Sequence, residues 1–555
     1  MLGKRRVRIP QLPVSSPRRT LLYFLSKQAA ILSCTDIPVK PITAQSLYNL
    51  TKCAHRVYLD ANGDPAEKGE ANVFVKLLWE LGLQTERNYL DTLGALPVED
   101  LSSLSPATAS RETLRLMRTG VPLIYQGCLK DDPYLGRPDL LLKRDDLASR
   151  FGPYAYEAID IKGGRGWERV ENRKPKFKVH YAYQIMFYRM LLARIQGTVP
   201  PNGRIINVDH EIEEFDPSVF EAEFREALAT AERLITGQET SEPVLGSQCY
   251  LCEWFSRCER WAYAHSDPTC LFFVGKQKFA LKKVGLRTVE DIAVMHIPEY
   301  LRPPKRIARL GEQSLRRMKQ RAQVFLQGRP WIRPGYTFPD VEREIYFDIE
   351  DDPTQALTYL FGLLIVERGM PPQFKYFLAR KPDEEERTVR AFWDFLNTTS
   401  DAVYYVYSHK ERTTLKHLME RYALDPQIFE AYVAREFDLY SRLVVEHSDW
   451  PTFSYSIKHI AKCIGFTWRD PDPSGANSIA WYNQYLANPS DERLLRRILE
   501  YNEDDCRAML AIKEYFVRYA SESRLSRFVP GTPQASGHPS LANPVLHAPS
   551  PESSP

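Results

Sequence analysis

At 555 residues the chain is too long for one hydrophobic core, so about two to four domains are expected. Its 74 basic and 71 acidic residues leave a net charge of only +3, which excludes a uniform polyelectrolyte and directs attention to local clusters. No run of about 18 apolar residues occurs, so no membrane partner is expected; nine cysteines, an odd count, argue against a secreted disulfide framework and for a reducing, cytoplasmic setting.

Met1 to Cys34 carries Lys4, Arg5, Arg6, Arg8, Arg18, Arg19 and Lys27 with no acid, and residues 1–40 read as a basic N-terminal arm. Residues 41–267 mix helix and strand signals. Ala71 to Leu93 is amphipathic, with Val73, Leu77, Leu78, Leu81 and Leu83 on one side. Asp139 to Lys143 and Tyr156 to Lys162 read as neighbouring strands, and Val179 to Ile195 as a buried helix packed on them. Alternate strand residues share a face, so Asp160 and Lys162 point the same way. Gln184 and Tyr188, one helical turn apart, also share a side. Two carboxylates can hold a divalent ion with hard oxygen ligands, and a lysine beside them can offset charge developing on a phosphate. Between Gly163 and Lys178, Arg165, Trp167, Arg169, Lys174 and Lys176 interleave charge and rings in the manner of a single-strand binding loop.

Cys249, Cys252 and Cys258 crowd into ten residues, which points to a metal site. Residues 268–330 read as a helical hairpin connector, with short helices around Gly285 and Gly311. Eight basic residues and one acid between Arg302 and Arg321, among them Arg306, Arg309 and Arg316, suit phosphate contacts.

Residues 340–522 form a second α/β unit. Ile345 to Glu350 alternates, placing Ile345, Phe347 and Ile349 on one face and Tyr346, Asp348 and Glu350 on the other. Strands follow at Thr358 to Val366, Phe374 to Leu378 and Val403 to Tyr407, and a helix from Arg493 to Tyr519. On that helix Ile498, Asn502, Asp505, Met509, Ile512 and Phe516 make one stripe, so Asp505 is a carboxylate among aliphatics. Burial there costs several kcal/mol unless it is paired or metal-bound. Asp504 falls with Arg497 and Glu500 outside the stripe. Tyr501, one turn before Asp505, is placed to orient an attacking water. Residues 523–555, rich in Pro, Ser, Gly and Ala, read as a disordered tail.

On Gly136-Arg137-Pro138-Asp139, Asp160-x-Lys162 and Gln184-x-x-x-Tyr188, the front half resembles the RecB-type branch of the PD-(D/E)XK nucleases. The resemblance implies a restriction-endonuclease-like α/β core and Mg²⁺- or Mn²⁺-dependent DNA cleavage. Asp139 and Asp160 would be the ligands and Lys162 the catalytic lysine, with Gln184 and Tyr188 in support. Where the family places a metal-binding His beside a Glu, this chain has Thr85 beside Glu86, leaving Glu86 as a supporting acid. The iron–sulfur form of the family adds a distant cysteine, here Cys53, so that Cys53, Cys249, Cys252 and Cys258 would hold a 4Fe-4S cluster. The alternative is Zn²⁺ on Cys249, Cys252 and Cys258 with Cys270 or His265.

The back half resembles the Tyr-containing DEDD exonucleases of RNase H-like fold, on Asp348, Glu350, Tyr501 and Asp505. Glu411 stands where that family usually has its middle Asp. The resemblance implies 3′–5′ trimming with metal ions on Asp348, Glu350 and Asp505. The order of parts, with the stretches Trp450 to Trp468 and Ser474 to Trp481, resembles predicted RecB-family nucleases carrying an RNase H-like half. The expected whole is a multidomain α/β nuclease acting on single-stranded DNA, in repair and beside a helicase. The alternatives are an RNA-processing nuclease and a nucleic-acid-binding scaffold with a silent RecB-like site.

Overall fold

The computed structural model describes residues 40–94, 96–168 and 174–525. The expected basic arm up to residue 39, Arg169 and residues 526–555 of the expected tail lie outside the described residues, whereas 523–525, also expected in the tail, continue a helix. The chain divides into two compact units, one of residues 40–63 and 81–241 and the other of 64–80 and 242–525. No helix among the described residues is long and apolar enough to cross a membrane.

The first unit is built on strands β1 (Val98–Asp100), β2 (Leu123–Tyr125), β3 (Leu140–Arg144), β4 (Ala155–Ile161), β5 (Gly203–Ile206) and β6 (Ile212–Phe215), hydrogen-bonded in the order β6-β5-β4-β3-β2-β1. Helix α1 (Val73–Thr92) enters this unit from Leu81 onward, and α2 (Val179–Gln196) packs on the sheet. Central strand β4 is buried on both faces. Tyr156 and Ala158 join α2 in one core cluster, while Ile159 and Ile161 join Leu123, Leu140 and Ile206 in another. Strand alternation therefore gives Asp160 the α2 side. Helix α2 is buried from Ala182 to Tyr188, as expected of a helix that is apolar on most sides.

The second unit opens with α3 (Phe255–Ala264), α4 (Lys278–Lys283), α5 (Val289–Val294) and α6 (Glu312–Gln327). Its sheet contains β7 (Arg343–Asp352), β8 (Leu357–Glu367), β9 (Gln373–Leu378), β10 (Val403–Val406) and β11 (Glu436–Asp438), in the order β9-β8-β7-β10-β11. β8 and β9 run antiparallel to their neighbours, and β10 and β11 run parallel. Helices α7 (Lys410–Tyr422), α8 (Ile457–Cys463), α9 (Gly475–Ala487) and α10 (Glu492–Leu525) follow. Helix α10 runs past the expected Tyr519. Ile345, Phe347 and Ile349 fill a core with Val389 and Phe392, whereas Tyr346 packs with Met509, Ile512 and Phe516 of α10. The strand acids thus project toward α10.

Two expected boundaries differ. Residues 242–267, with the three clustered cysteines, group with the second unit and not the first. The fully buried Lys278 ammonium explains the attachment, since it donates to the Pro243 carbonyl at 2.6 Å and to Asp267 Oδ2 at 3.0 Å. Nor is 268–330 a free-standing connector. Arg317 and Arg321 of α6 both donate to the buried Asp449 carboxylate, at 2.7 and 3.0 Å, and bind α6 into the same unit.

Candidate active site

In the second unit Asp348 and Glu350 of β7 and Asp505 of α10 bring one carboxylate oxygen each within 4.8 Å of one another. The approach depends on a gap in the neighbouring strand. Gly362 of β8 lies opposite Asp348, and a β-carbon there would fall 1.5 Å from Asn502 Oδ1. With no side chain at 362, the Asn502 amide settles over the strand and donates to Asp348 Oδ2 at 2.7 Å. Asp505 accepts from Lys458 Nζ at 3.0 and 3.1 Å and from Trp468 Nε1 at 2.8 Å. Lys458 Nζ also donates to the Tyr501 hydroxyl at 2.9 Å.

Glu411, in the first turn of α7, is 3 % exposed, and its Oε2 has no hydrogen-bond partner. The loop before it is fixed by Asp438, which accepts from the Ser408 and Tyr440 backbone N–H groups at 3.0 and 2.9 Å. Burial and then the Asp505 charge push the Asp348 carboxyl up to about 7. Burial and the Asp348 charge push Glu411 up to about 8 and hold Glu350 well above the carboxylate range. Burial and the Asp505, Glu350 and Asp348 charges keep the Tyr501 hydroxyl protonated. Acids crowded this way repel one another, and a bound cation relieves that repulsion. The oxygen-only donor set and the unpartnered Glu411 Oε2 fit Mg²⁺ or Mn²⁺.

Residues 345–517 match the RNase H superfamily. No curated protein matches the chain. An RNase H-like domain suggests nuclease-type hydrolysis of nucleic acid, with divalent metal ions as cofactors. The strand order and the acids at the sheet centre sit within that span.

In the first unit, Asp139 and Asp160 interlock across β3 and β4. The Asp139 N–H donates to Asp160 Oδ1 at 3.2 Å, and the Ile161 N–H donates to Asp139 Oδ2 at 2.8 Å. Gln126 Nε2 donates to Asp139 Oδ1 at 2.8 Å. Lys162 Nζ donates to Asp160 Oδ2 at 2.7 Å and to Gln184 Oε1 at 3.0 Å. Burial opposes the Lys162 charge, but Asp160 and Asp139 outweigh it and raise the ammonium's pKa. Burial, Glu86 and Asp160 hold the Asp139 carboxyl well above its usual range. Glu86 therefore lies close enough to be felt, and it accepts from the Tyr125 hydroxyl at 2.9 Å. Thr85 instead turns its hydroxyl back on the Leu81 carbonyl at 2.9 Å.

The Gly-Arg-Pro-Asp turn has a mechanical logic. A β-carbon at Gly136 would lie 2.9 Å from the Tyr188 ring, so only glycine admits that ring. The Arg137 guanidinium donates to the carbonyls of Gln126, Leu101 and Leu104 at 3.0, 2.7 and 3.2 Å, fixing the turn that carries Asp139.

Cys249 and Cys252 are half-buried at the end of a short turn, and Cys258 follows on α3. Cys53 belongs to the first unit. Of the expected nucleic-acid contacts, Arg165 pairs with Asp209 and Arg316 with Glu312 in exposed ion pairs. Trp167 is 40 % exposed, with its ring edge-on to Phe177. Lys174, Lys176, Arg306 and Arg309 are exposed.

Sequence reasoning passed over Lys458 and Trp468, although both lie in a stretch that it singled out. It placed Asn502 in the buried stripe without a role. It also set Asp504 outside that stripe, yet Asp504 is buried, accepting from the Arg469 N–H at 2.8 Å and from Arg469 Nε at 2.9 Å.

Proposed function

We propose that the chain is a metal-dependent nuclease whose RNase H-like half trims single-stranded DNA from its 3′ end. The gathering of Asp348, Glu350 and Asp505 around one point of the sheet, with Glu411 beside them, carries this reading. A divalent ion on Asp348, Glu350 and Asp505 would supply an activated water and charge to offset the phosphate. The protein's own groups do the positioning. Tyr501 keeps its proton and has a hydroxyl to offer the attacking water. Lys458 braces that hydroxyl and Asp505 together, fixing both relative to the sheet. Asn502 fixes the Asp348 rotamer through its amide.

In the same proposal the first unit is a RecB-like nuclease site. Asp139 and Asp160 would be its ion ligands, Lys162 the group that steadies charge on the phosphate, and Glu86, Gln184 and Tyr188 its supports. One observation favours a second reading, in which that site is silent and serves binding. The Thr85 hydroxyl is spent on its own helix where a ligand would point outward. The cysteine proposal is that Cys249, Cys252 and Cys258 provide soft thiolate ligands for an iron–sulfur cluster, with zinc as the alternative.

The test is release of nucleotides from 5′-labelled single strands with Mg²⁺ or Mn²⁺, on wild type, Asp348→Ala, Asp160→Ala and the double mutant. Asp348→Ala should remove 3′ trimming by at least about 10²-fold. Equal trimming by Asp348→Ala and wild type would refute the assignment. Protein isolated without oxygen should be brown and contain iron; a colourless preparation with stoichiometric zinc would replace the cluster by zinc.

A further inference from the structure

Beside the acidic centre lies a groove of about 630 Å³ that the hydrolytic scheme leaves unused, formed entirely within the second unit. It is lined by residues 245–248, 271–273 and 453–457, with Tyr407, Ser408 and Tyr440. The lining side chains are aromatic, aliphatic and hydroxyl- or amide-bearing, with no charge among them. The groove adjoins the site through the chain itself. Ile457 precedes Lys458, the residue on Asp505, and Ser408 opens the turn that carries Glu411.

Two rings in this groove stack on each other and a third is presented outward. Phe272 lies flat on Tyr455, with centroids 3.7 Å apart and planes 11° from parallel. Phe273 sits 4.3 Å from Phe272 and is 68 % exposed. Its backbone adopts φ +67°, a left-handed conformation that penalises a bulky side chain. The chain thus takes a left-handed backbone at a position that leaves most of a large apolar ring in water. The Arg321 guanidinium lies 5.1 Å from the Phe272 ring centre and braces the stack.

We propose that this groove holds the unpaired bases of a DNA strand whose 3′ end reaches the acidic centre. The assignment rests on the nuclease reading and specifies its substrate. Flat base faces suit a neutral aromatic slot, whereas phosphates do not. A duplex keeps its base faces stacked on one another and cannot offer them to Phe273.

The experiment uses the full chain in EDTA, so that binding is read whether or not strands are cut. The probe is a DNA oligonucleotide with 2-aminopurine a few positions from its 3′ end. Anisotropy gives affinity, and quenching of the modified base reports stacking. Phe273→Ala should weaken single-strand binding about tenfold and abolish the quench. Phe273→Trp should retain both, and duplex binding should not change. Phe273 is exposed, so the variants should melt with wild type. Equal affinity and quench for Phe273→Ala and wild type would overturn the proposal, as would tighter binding of RNA than of DNA. Phe273-dependent binding without nucleotide release in Mg²⁺ or Mn²⁺ would sink the nuclease reading and leave the groove assigned. Release that is indifferent to Phe273 would do the reverse.

Discussion

Gly362→Ala tests how the RNase H-like acids are held. The added β-carbon would lie 1.5 Å from Asn502 Oδ1 and 2.7 Å from its Cγ. Resting contact is about 3.5 Å, so the amide must retreat by about 2 Å. That movement breaks the 2.7 Å donation to Asp348. Overpacking costs about 1–3 kcal/mol, and a lost hydrogen bond to a carboxylate about 1.5–3 kcal/mol. With the lower part of each range, the substitution should destabilise this unit by about 3 kcal/mol, or about 6–12 °C in melting temperature. A double-mutant cycle with Asn502→Ala, read by thermal melting and by strand hydrolysis, separates the causes. Once Asn502 is truncated, Gly362→Ala should cost under about 1 kcal/mol. An equal cost in both backgrounds, or a Gly362→Ala protein that melts and cuts like wild type, would show that the clash does not govern this site.

Lys458→Ala should lower 3′ trimming by about 10²-fold with little loss of melting temperature, because the side chain is partly exposed and braces Tyr501 and Asp505; unchanged hydrolysis would remove it from the site. Asp348 and Glu411 have pKa values raised in the fold to about 7 and about 8, so their protonated forms are favoured there. Their contribution to stability is therefore full below the unfolded carboxylate value of about 4 and is lost as pH rises through 7 to 8. A divalent ion needs the ionised acids, so Mg²⁺ should raise the melting temperature more at pH 8 than at pH 6. A shift equal at both pH values, or larger at pH 6, would contradict this. Lys162→Ala in an Asp348→Ala background should remove whatever strand cleavage remains, measured on the labelled single strands; persistent cutting would place that activity elsewhere.

What could be read from the sequence follows from periodicity. Alternation at 345–350 separates Ile345, Phe347 and Ile349 from Tyr346, and the stripe through Asn502 and Asp505 is buried on α10. Near-continuous apolar character makes α2 a buried helix. Contacts without a period were out of reach. Lys458 and Trp468 lie 47 and 37 residues from Asp505, and only folding brings them to it. Gly362 looks like any glycine in a strand until its partner Asn502 is known. The basic run at 302–321 counts charges alike, yet Arg317 and Arg321 are committed to Asp449 while Arg306 and Arg309 remain exposed. Composition cannot separate a cation spent internally from one presented outward.

The Arg137 fan on three loop carbonyls bears on mutational tolerance. A planar guanidinium reaches several acceptors in fixed directions, which a lysine's single nitrogen cannot imitate. The position is thus constrained by shape more than by sign, and a charge-preserving swap there would act at a distance by loosening the strand entry on which Asp139 rides.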